Sequence, residues 1–216
     1  MRGGLYVAAV GFYARHVFPR FMDWALGRPR FGRERDEALA AVGGEVLEIG
    51  FGTGLNLRHY QPGVTRLTAL DVADLLPART ARRIKAAPFP VARVHLTAER
   101  LPFPDAGFDC AVSTWTLCSI PDALAALREV RRVLKPGGVF VFLEHGRSDD
   151  ARVARWQDRF NPIQRRIGVG CNLNRPIDAL IRDAGFAITR LDRYAIQGEP
   201  RIMAEMYRGT ASPRGS

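Results

Sequence analysis

The chain has 216 residues, 47% hydrophobic and 25% charged, a balance that excludes a disordered or membrane-spanning protein and fits one domain with its own core. Its formal charge of +10 is carried almost wholly by arginine, since Lys85 and Lys135 are the only lysines. A GC-rich coding bias would produce that, as would an anionic partner, nucleic acid or acidic lipid. Cys110, Cys118 and Cys171 are odd in number and lack CxxC or CxH spacing, which argues against a disulfide framework and against a metal site, and fits a reducing cytoplasm.

Residues 1–40 read as an N-terminal segment distinct from a domain over 41–210, with a disordered tail at 211–216. The apolar run "LYVAAVGFY" is nine residues long. That is well short of the roughly 20 needed to cross a bilayer. No small-residue cleavage site follows it. Arg15, His16 and Arg20 alternate with Phe12, Tyr13, Phe18, Phe21 and Trp24. The pattern reads as a helical cap over a ligand pocket or as an amphipathic helix touching anionic membrane, and one segment can do both.

From Val46 onward, short β-rich runs alternate with helical stretches. "EVLEIG", "RLTALDV", "VARVHLTA" and "FDCAVSTWTL" predict four strands, with helices opening at "LNLRHY" and running through "LLPARTARRIKAA". A further helix begins at Pro121, where Leu124, Leu127, Val130 and Leu134 recur at helical spacing, and "KPGG" stops it. "VFVFLEH" is apolar enough for a strand covered on both faces. After an arginine-rich insertion from Gly146 to Asn174 come a helix at "RPIDALIRDAGF" and a hairpin of "AITRLDRYAI" and "RIMAEMYRGTA" joined at "QGEP". This order predicts an α/β, Rossmann-like, mostly parallel sheet with helices on both faces.

In "VLEIGFGTGLNLRHY", Gly50, Gly52 and Gly54 form G-x-G-x-G. The dinucleotide fingerprint is G-x-G-x-x-G, and its third glycine would fall at Leu55 or Leu57, so a pyrophosphate turn is disfavoured. Close backbone approach is still built in. Glu48, at the end of the first strand, faces a cationic ligand better than a phosphate. Asp71, at the end of the second, suits two ribose hydroxyls. A ribose, a positive group and no phosphate describe S-adenosylmethionine.

"LEIGFGTG", "ALDV", "AERLPFPDAGFDCAV" and "EVRRVLKPGGVFVFLEH" together resemble the successive motifs of class I S-adenosylmethionine-dependent methyltransferases. The resemblance implies a seven-stranded sheet ending in an antiparallel hairpin. It implies that Glu48, Gly50, Gly52 and Gly54 hold the methionine end, Asp71 the ribose, and Val72 the adenine. In place of the family's frequent aspartate near Thr97 stands "LTAER", which leaves Thr97, Ala98 or Glu99 to meet the adenine amino group. "STWTLCS" would line the face where the methyl group leaves, with Thr114 on the cofactor.

For the acceptor side, His145 sits at a strand end where ligands bind, as a general base for the acceptor or as a ring bonded to backbone to order the loop. Cys118 and Ser119 would contact the acceptor or wall its pocket, and Trp115 and Trp156 line an apolar site or pack in the core. "YARHVFPRFMD", "TLCSI", "FLEH", "RWQDRFNP" and "GCNLNR" resemble the methyltransferase-like alkyl-thiol methyltransferases, which associate with membranes or lipid droplets through an apolar N-terminus. That implies a small lipophilic acceptor, a thiol first, with Asn172, Asn174 and Arg175 orienting groups at the pocket mouth. Alternatively, Asn174 is a helix N-cap. The competing acceptor is phosphatidylethanolamine, methylated at a membrane surface. No nucleic-acid partner is expected, since "STWTLC" stands where an Asn/Asp-Pro-Pro-Tyr-like motif would, and the expected location is cytoplasmic, peripheral to the membrane.

Overall fold

In the computed structural model, which describes residues 11–215, seven strands form one sheet in the order β3-β2-β1-β4-β5-β7-β6. They are β1 (Gly44–Ile49), β2 (Val64–Leu70), β3 (Val91–Val94), β4 (Phe108–Thr114), β5 (Leu134–His145), β6 (Phe186–Ala195) and β7 (Glu205–Pro213). The first five run parallel, and β7 is antiparallel to both β5 and β6. This is the Rossmann-like sheet with a C-terminal hairpin that the strand pattern predicts. Strand order reverses between β1 and β4, and the crevice outside their carboxyl ends is where such sheets bind ligands.

Period-2 alternation divides the sheet residues between two cores. Leu47, Ile49, Ala111, Phe140 and Phe142 face one side, against α4 (Ala123–Val133) and α6 (Ile177–Asp183). Val46, Cys110, Val112 and Val141 face the other, with Leu39, Val42, Phe51 and Leu57. Cys110 is therefore plain core. Helix α4 forms because Ala123, Ala126, Leu127, Val130 and Val133 bury one stripe, while the Asp122 carboxylate caps it by accepting from Ala125 N at 2.9 Å.

Five sequence expectations need correction. "LNLRHY" does not open a long helix: only a 3₁₀ turn, Leu57–His59, forms, because the flanking Asn56 and Tyr60 side chains are both bonded back to Glu48 and Pro62-Gly63 follows. The link between the hairpin strands runs from Ile196 to Ala204, longer than "QGEP", and closes with Ile196 N donating to Ala204 O. The helix from Pro121 is not stopped by "KPGG": it ends at Val133, because Leu134–Gly138 already belong to β5. The insertion itself folds as a 17-residue helix, α5 (Ala151–Ile167), capped by Asp150. Residues 211–213 belong to β7: Ala211 pairs with both Phe140 and Ile188 and is fully buried, which a disordered tail could not do.

Before the sheet, a short π-helix (Tyr13–Val17) leads into α1 (Phe18–Leu26), and α2 (Pro29–Ala38) follows. Of the run "LYVAAVGFY", residues 5–10 lie outside the described residues. Between β2 and β3 runs α3 (Pro77–Lys85). Asp23 on α1 is buried and accepts from Thr53 Oγ1 and Arg83 Nη1, each at 2.5 Å, and from Arg79. One carboxylate thus ties α1 to the glycine turn after β1 and to α3.

Burial works against the Asp23 charge, but these hydrogen bonds bring its pKa from 3.8 down to about 2. A carboxylate lowered on folding stabilises above pH 4, and that contribution is lost as pH falls through 2. Asp23→Asn is therefore expected to lose about 1–2 kcal/mol at pH 7, the low end reflecting half-exposed arginine partners. Urea titrations at pH 7 and pH 2 check this, with the gap between variant and parent closing at the lower pH.

Candidate active site

Strand β1 ends in a turn in which Gly50, Gly52 and Gly54 all take left-handed backbone, at φ +71°, +59° and +77°. At Gly50 any side chain is excluded, since a Cβ would lie 2.0 Å from Thr116 Oγ1. At Gly52 the space is open, the nearest atom to a built Cβ being Gly50 O at 3.9 Å. The first glycine lets β1 press against the loop after β4, and the second leaves bare backbone facing the crevice.

Below the turn, Glu48 is buried. Its Oε1 accepts from Asn56 Nδ2 at 2.9 Å and its Oε2 from the Tyr60 hydroxyl at 2.7 Å. Asn56 also donates to Thr114 Oγ1 at 3.0 Å and accepts at Oδ1 from Arg35 Nε at 2.8 Å. Arg35, on α2, is itself buried, bonded to Leu26 O, and stacked 4.6 Å from the Trp115 ring centre. Asn56 therefore relays between a buried carboxylate and a buried guanidinium. Burial raises Glu48 to about 7 against the pull of its donors, and lowers Arg35 to about 10. An added positive charge in the crevice would favour the ionised carboxylate.

At the tip of β2, Asp71 accepts from Gly52 N at 2.7 Å and from Ala73 N at 3.0 Å. A carboxylate has about four lone-pair directions, so two remain free for hydroxyl donors. Burial raises its pKa in spite of those two amides. Val72 next to it is exposed. Ala98 is buried, while Thr97 and Glu99 bond to each other and Glu99 also accepts from Asp122 N. The open glycine, a carboxylate with two free acceptor directions and the exposed apolar flank are compatible with a sulfonium nucleoside.

Beyond β4, Trp115 has left-handed backbone (φ +49°), unusual for an aromatic residue, and its ring meets Phe31 edge-on at 5.5 Å. The turn is organised by Glu144, fully buried, which accepts from Ser113 Oγ at 2.6 Å and from the amides of Thr116 and Leu117. Burial raises this carboxylate to about 6 despite those donors.

The His145 Nε2 lies 3.1 Å from Cys171 Sγ rather than on a backbone group of the described residues. Burial opposes its charge, yet the sulfur raises its pKa overall, while the Cys118 thiol and His145 hold Cys171 well below a free thiol. Asn172 and Arg175 are taken up by the β4 loop, on the carbonyls of Cys118 and of Leu117 and Pro121 respectively. They position that loop. Asn174 donates to Asp158, and Pro176, with no capping side chain, precedes α6. Trp156 is exposed, stacked on Phe160.

The sequence reading omitted Arg35, Asn56, Tyr60 and Asp23, whose bonds to the site span 8 to 60 positions. It also set metal-ligating chemistry aside on spacing, whereas the fold brings Cys118, His145 and Cys171 together, their ligand atoms within 4.8 Å of one another.

A left-handed glycine turn after β1, with the Asp71 carboxylate bonded to it from the tip of the neighbouring β2, beside the switch point between β1 and β4, is the ligand-binding edge of a Rossmann-like sheet. A methyltransferase-domain family matches residues 47–142. Human thiol S-methyltransferase TMT1B is 34% identical over 169 residues, covering 73% of this chain and 66% of its own length. The chain thus spans slightly under two thirds of that relative. Phosphatidylethanolamine N-methyltransferase of Cereibacter sphaeroides is 30% identical over 157 residues, covering 68% of this chain and 77% of its own. In structure, the Burkholderia thailandensis 1,6-didemethyltoxoflavin-N1-methyltransferase, solved with S-adenosylhomocysteine, superposes with TM-score 0.65 at 20% identity, over 98% of this chain and 88% of that one. The chain belongs to the class I S-adenosylmethionine-dependent methyltransferases, and S-adenosylmethionine is its cofactor.

With Glu48 near 7, binding of S-adenosylhomocysteine at pH 7 is expected to release a fraction of a proton as the ligand's ammonium favours the carboxylate. Calorimetry in buffers of different ionisation heat reads it, and Glu48→Gln should abolish the buffer dependence. Asp71→Ala is expected to weaken the same ligand by at least about a hundredfold, the loss of two hydrogen bonds to a charged acceptor. Unchanged affinity in that titration would contradict the ribose assignment.

Proposed function

We propose that this protein transfers the methyl group of S-adenosylmethionine to the sulfur of a small lipophilic thiol. The observation that carries the reading is the similarity to human thiol S-methyltransferases TMT1B and TMT1A, 34% and 33% identical over 73% and 68% of this chain. The cofactor, when bound, supplies a methyl group already activated on a positively charged sulfur. The chain's task is to bind, align and exclude water. Glu48 and the glycines at 50, 52 and 54 hold the amino-acid end, and Asp71 holds the ribose. Val72 flanks the adenine, with its amino group met within residues 97–99.

Helices α1 and α2 close the crevice from above, since Asp23 bonds Thr53 of the glycine turn and Arg35 reaches Asn56 beneath it. Phe31 and Trp115 offer an apolar wall beside the methyl-transfer face.

The second reading, N-methylation of phosphatidylethanolamine, is favoured by the Cereibacter relative and by one surface. Phe21 and Trp24 on the N-terminal helix and Trp156, Ile163 and Ile167 on α5 are each more than half exposed, amid many arginines. The Tyr13 hydroxyl bonds Ile167 O at 2.9 Å, joining the two helices' ends. Among the described residues no helix is long and apolar enough to cross a membrane. This apolar, basic face supports peripheral contact with anionic membrane from the cytoplasmic side, which serves a lipophilic thiol equally well.

Transfer of labelled methyl from S-adenosylmethionine to alkyl thiols, phosphatidylethanolamine vesicles and RNA decides the acceptor. Product on the thiols, with vesicles and RNA unlabelled, is the expected result, and label on the lipid alone would replace this reading with the second. Flotation with anionic vesicles should recover the full chain and lose the Phe21→Glu/Trp24→Glu variant, and equal recovery of both would remove the membrane contact.

A further inference from the structure

We infer that Cys118, His145 and Cys171 form a three-ligand site for one zinc ion, with a fourth position open to an exogenous thiol. The three donors come from separate segments: the loop after β4, the end of β5, and the turn after α5. Their ligand atoms all lie within 4.8 Å of one another, and His145 Nε2 is 3.1 Å from Cys171 Sγ. Zinc bonded to sulfur at about 2.3 Å and to imidazole nitrogen at about 2.1 Å needs S···S of about 3.8 Å and S···N of about 3.6 Å in a tetrahedron. Side-chain shifts of about 1 Å or less complete that geometry.

The frame is rigid where it matters. Asn172 N and Nδ2 both donate to Cys118 O, at 2.9 and 2.8 Å, so the residue after one cysteine clamps the backbone of the other. Asn161 holds the same turn by accepting from Leu173 N at 2.8 Å and donating to Asn172 Oδ1 at 3.2 Å. Val169, a β-branched residue at φ +50°, and Trp115 at φ +49° carry backbone strain on either side of the cluster. Strain of that kind persists only where surrounding bonds enforce it, and it gathers at functional sites.

Composition selects the metal. Two thiolates with one imidazole are soft donors that favour zinc over magnesium or calcium, and they neutralise a divalent charge. Three protein ligands with a vacant position is the arrangement of catalytic rather than structural zinc. Cys118 is buried, whereas His145 and Cys171 are half-buried, so the vacant side reaches solvent. The turn that carries Cys118 also carries Thr116, whose Oγ1 donates to Gly50 O at 3.4 Å, so the site borders the cofactor cradle. When a thiol enters the fourth position, its S–H bond breaks, an S–Zn bond forms with the sulfur's electron pair, and the proton leaves to solvent. The acceptor role of that fourth position rests on the thiol reading above, while the metal site itself rests on geometry alone.

The test uses the full chain, purified with a phosphine reductant, stripped with a chelator and titrated with cobalt(II). One equivalent should give thiolate-to-cobalt charge transfer and intense tetrahedral d–d bands, lost stoichiometrically when zinc is added. Cys118→Ser, Cys171→Ser and His145→Ala should each weaken cobalt binding by at least about tenfold. Cys110→Ala should leave the spectrum intact, and circular dichroism confirms that every variant is folded. Adding hexanethiol should strengthen the charge-transfer band. No charge transfer at one equivalent would overturn the site, and a spectrum blind to hexanethiol would overturn its open position. Failure to methylate any thiol with the cobalt spectrum intact would reject the proposed acceptor and leave the metal site standing.

Discussion

The site depends on a steric constraint at the tip of β1. Thr116, on the loop after β4, occupies the space that a side chain at position 50 would need, so the chain there must be glycine and must turn left-handed. That single contact sets two others. It brings the loop after β4 beside the glycine turn, and it swings Gly52 N onto the Asp71 carboxylate. Two neighbouring strand tips, those of β1 and β2, thus each carry an acid beside the switch point between β1 and β4.

Buried acids organise the two halves of this crevice differently. Glu48 is joined through Asn56 to Arg35, which makes the floor of the cradle a polarised network whose charge depends on what binds above it. Glu144 instead serves backbone amides, fixing the strained turn from which Trp115 and Cys118 project. Removing a partner from either network would leave buried polar groups unpaired, which costs far more than a surface hydrogen bond gives. The N-terminal helices enter the same scheme, since Asp23 bonds Thr53 of the glycine turn and Arg35 bonds Asn56.

Most of the fold, and the grouping of Glu48, the glycines and Asp71 at neighbouring strand tips, were legible in the sequence because their signals are local. Strand alternation, the helical stripe from Leu124 to Val130, and the spacing of Glu48, three glycines and Asp71 each lie within a short window. What escaped was non-local. Asn56 and Tyr60 sit in a stretch with helical spacing, yet their side chains hold Glu48 and the helix collapses to one turn. Cys171 lies 53 positions from Cys118 and 26 from His145, so no spacing rule could join them; only the return of the insertion across the β4 loop does. Residues 211–213 look like a polar tail in sequence, and pairing with β5 and β6 is what orders them.

A crystal structure of the full chain soaked with S-adenosylhomocysteine tests the central claim most directly. The ribose hydroxyls are expected on the Asp71 carboxylate and the amino-acid end over the bare backbone of Gly52. A nucleoside bound elsewhere, or density for that ligand absent from the crevice between the β1 and β2 tips, would contradict it.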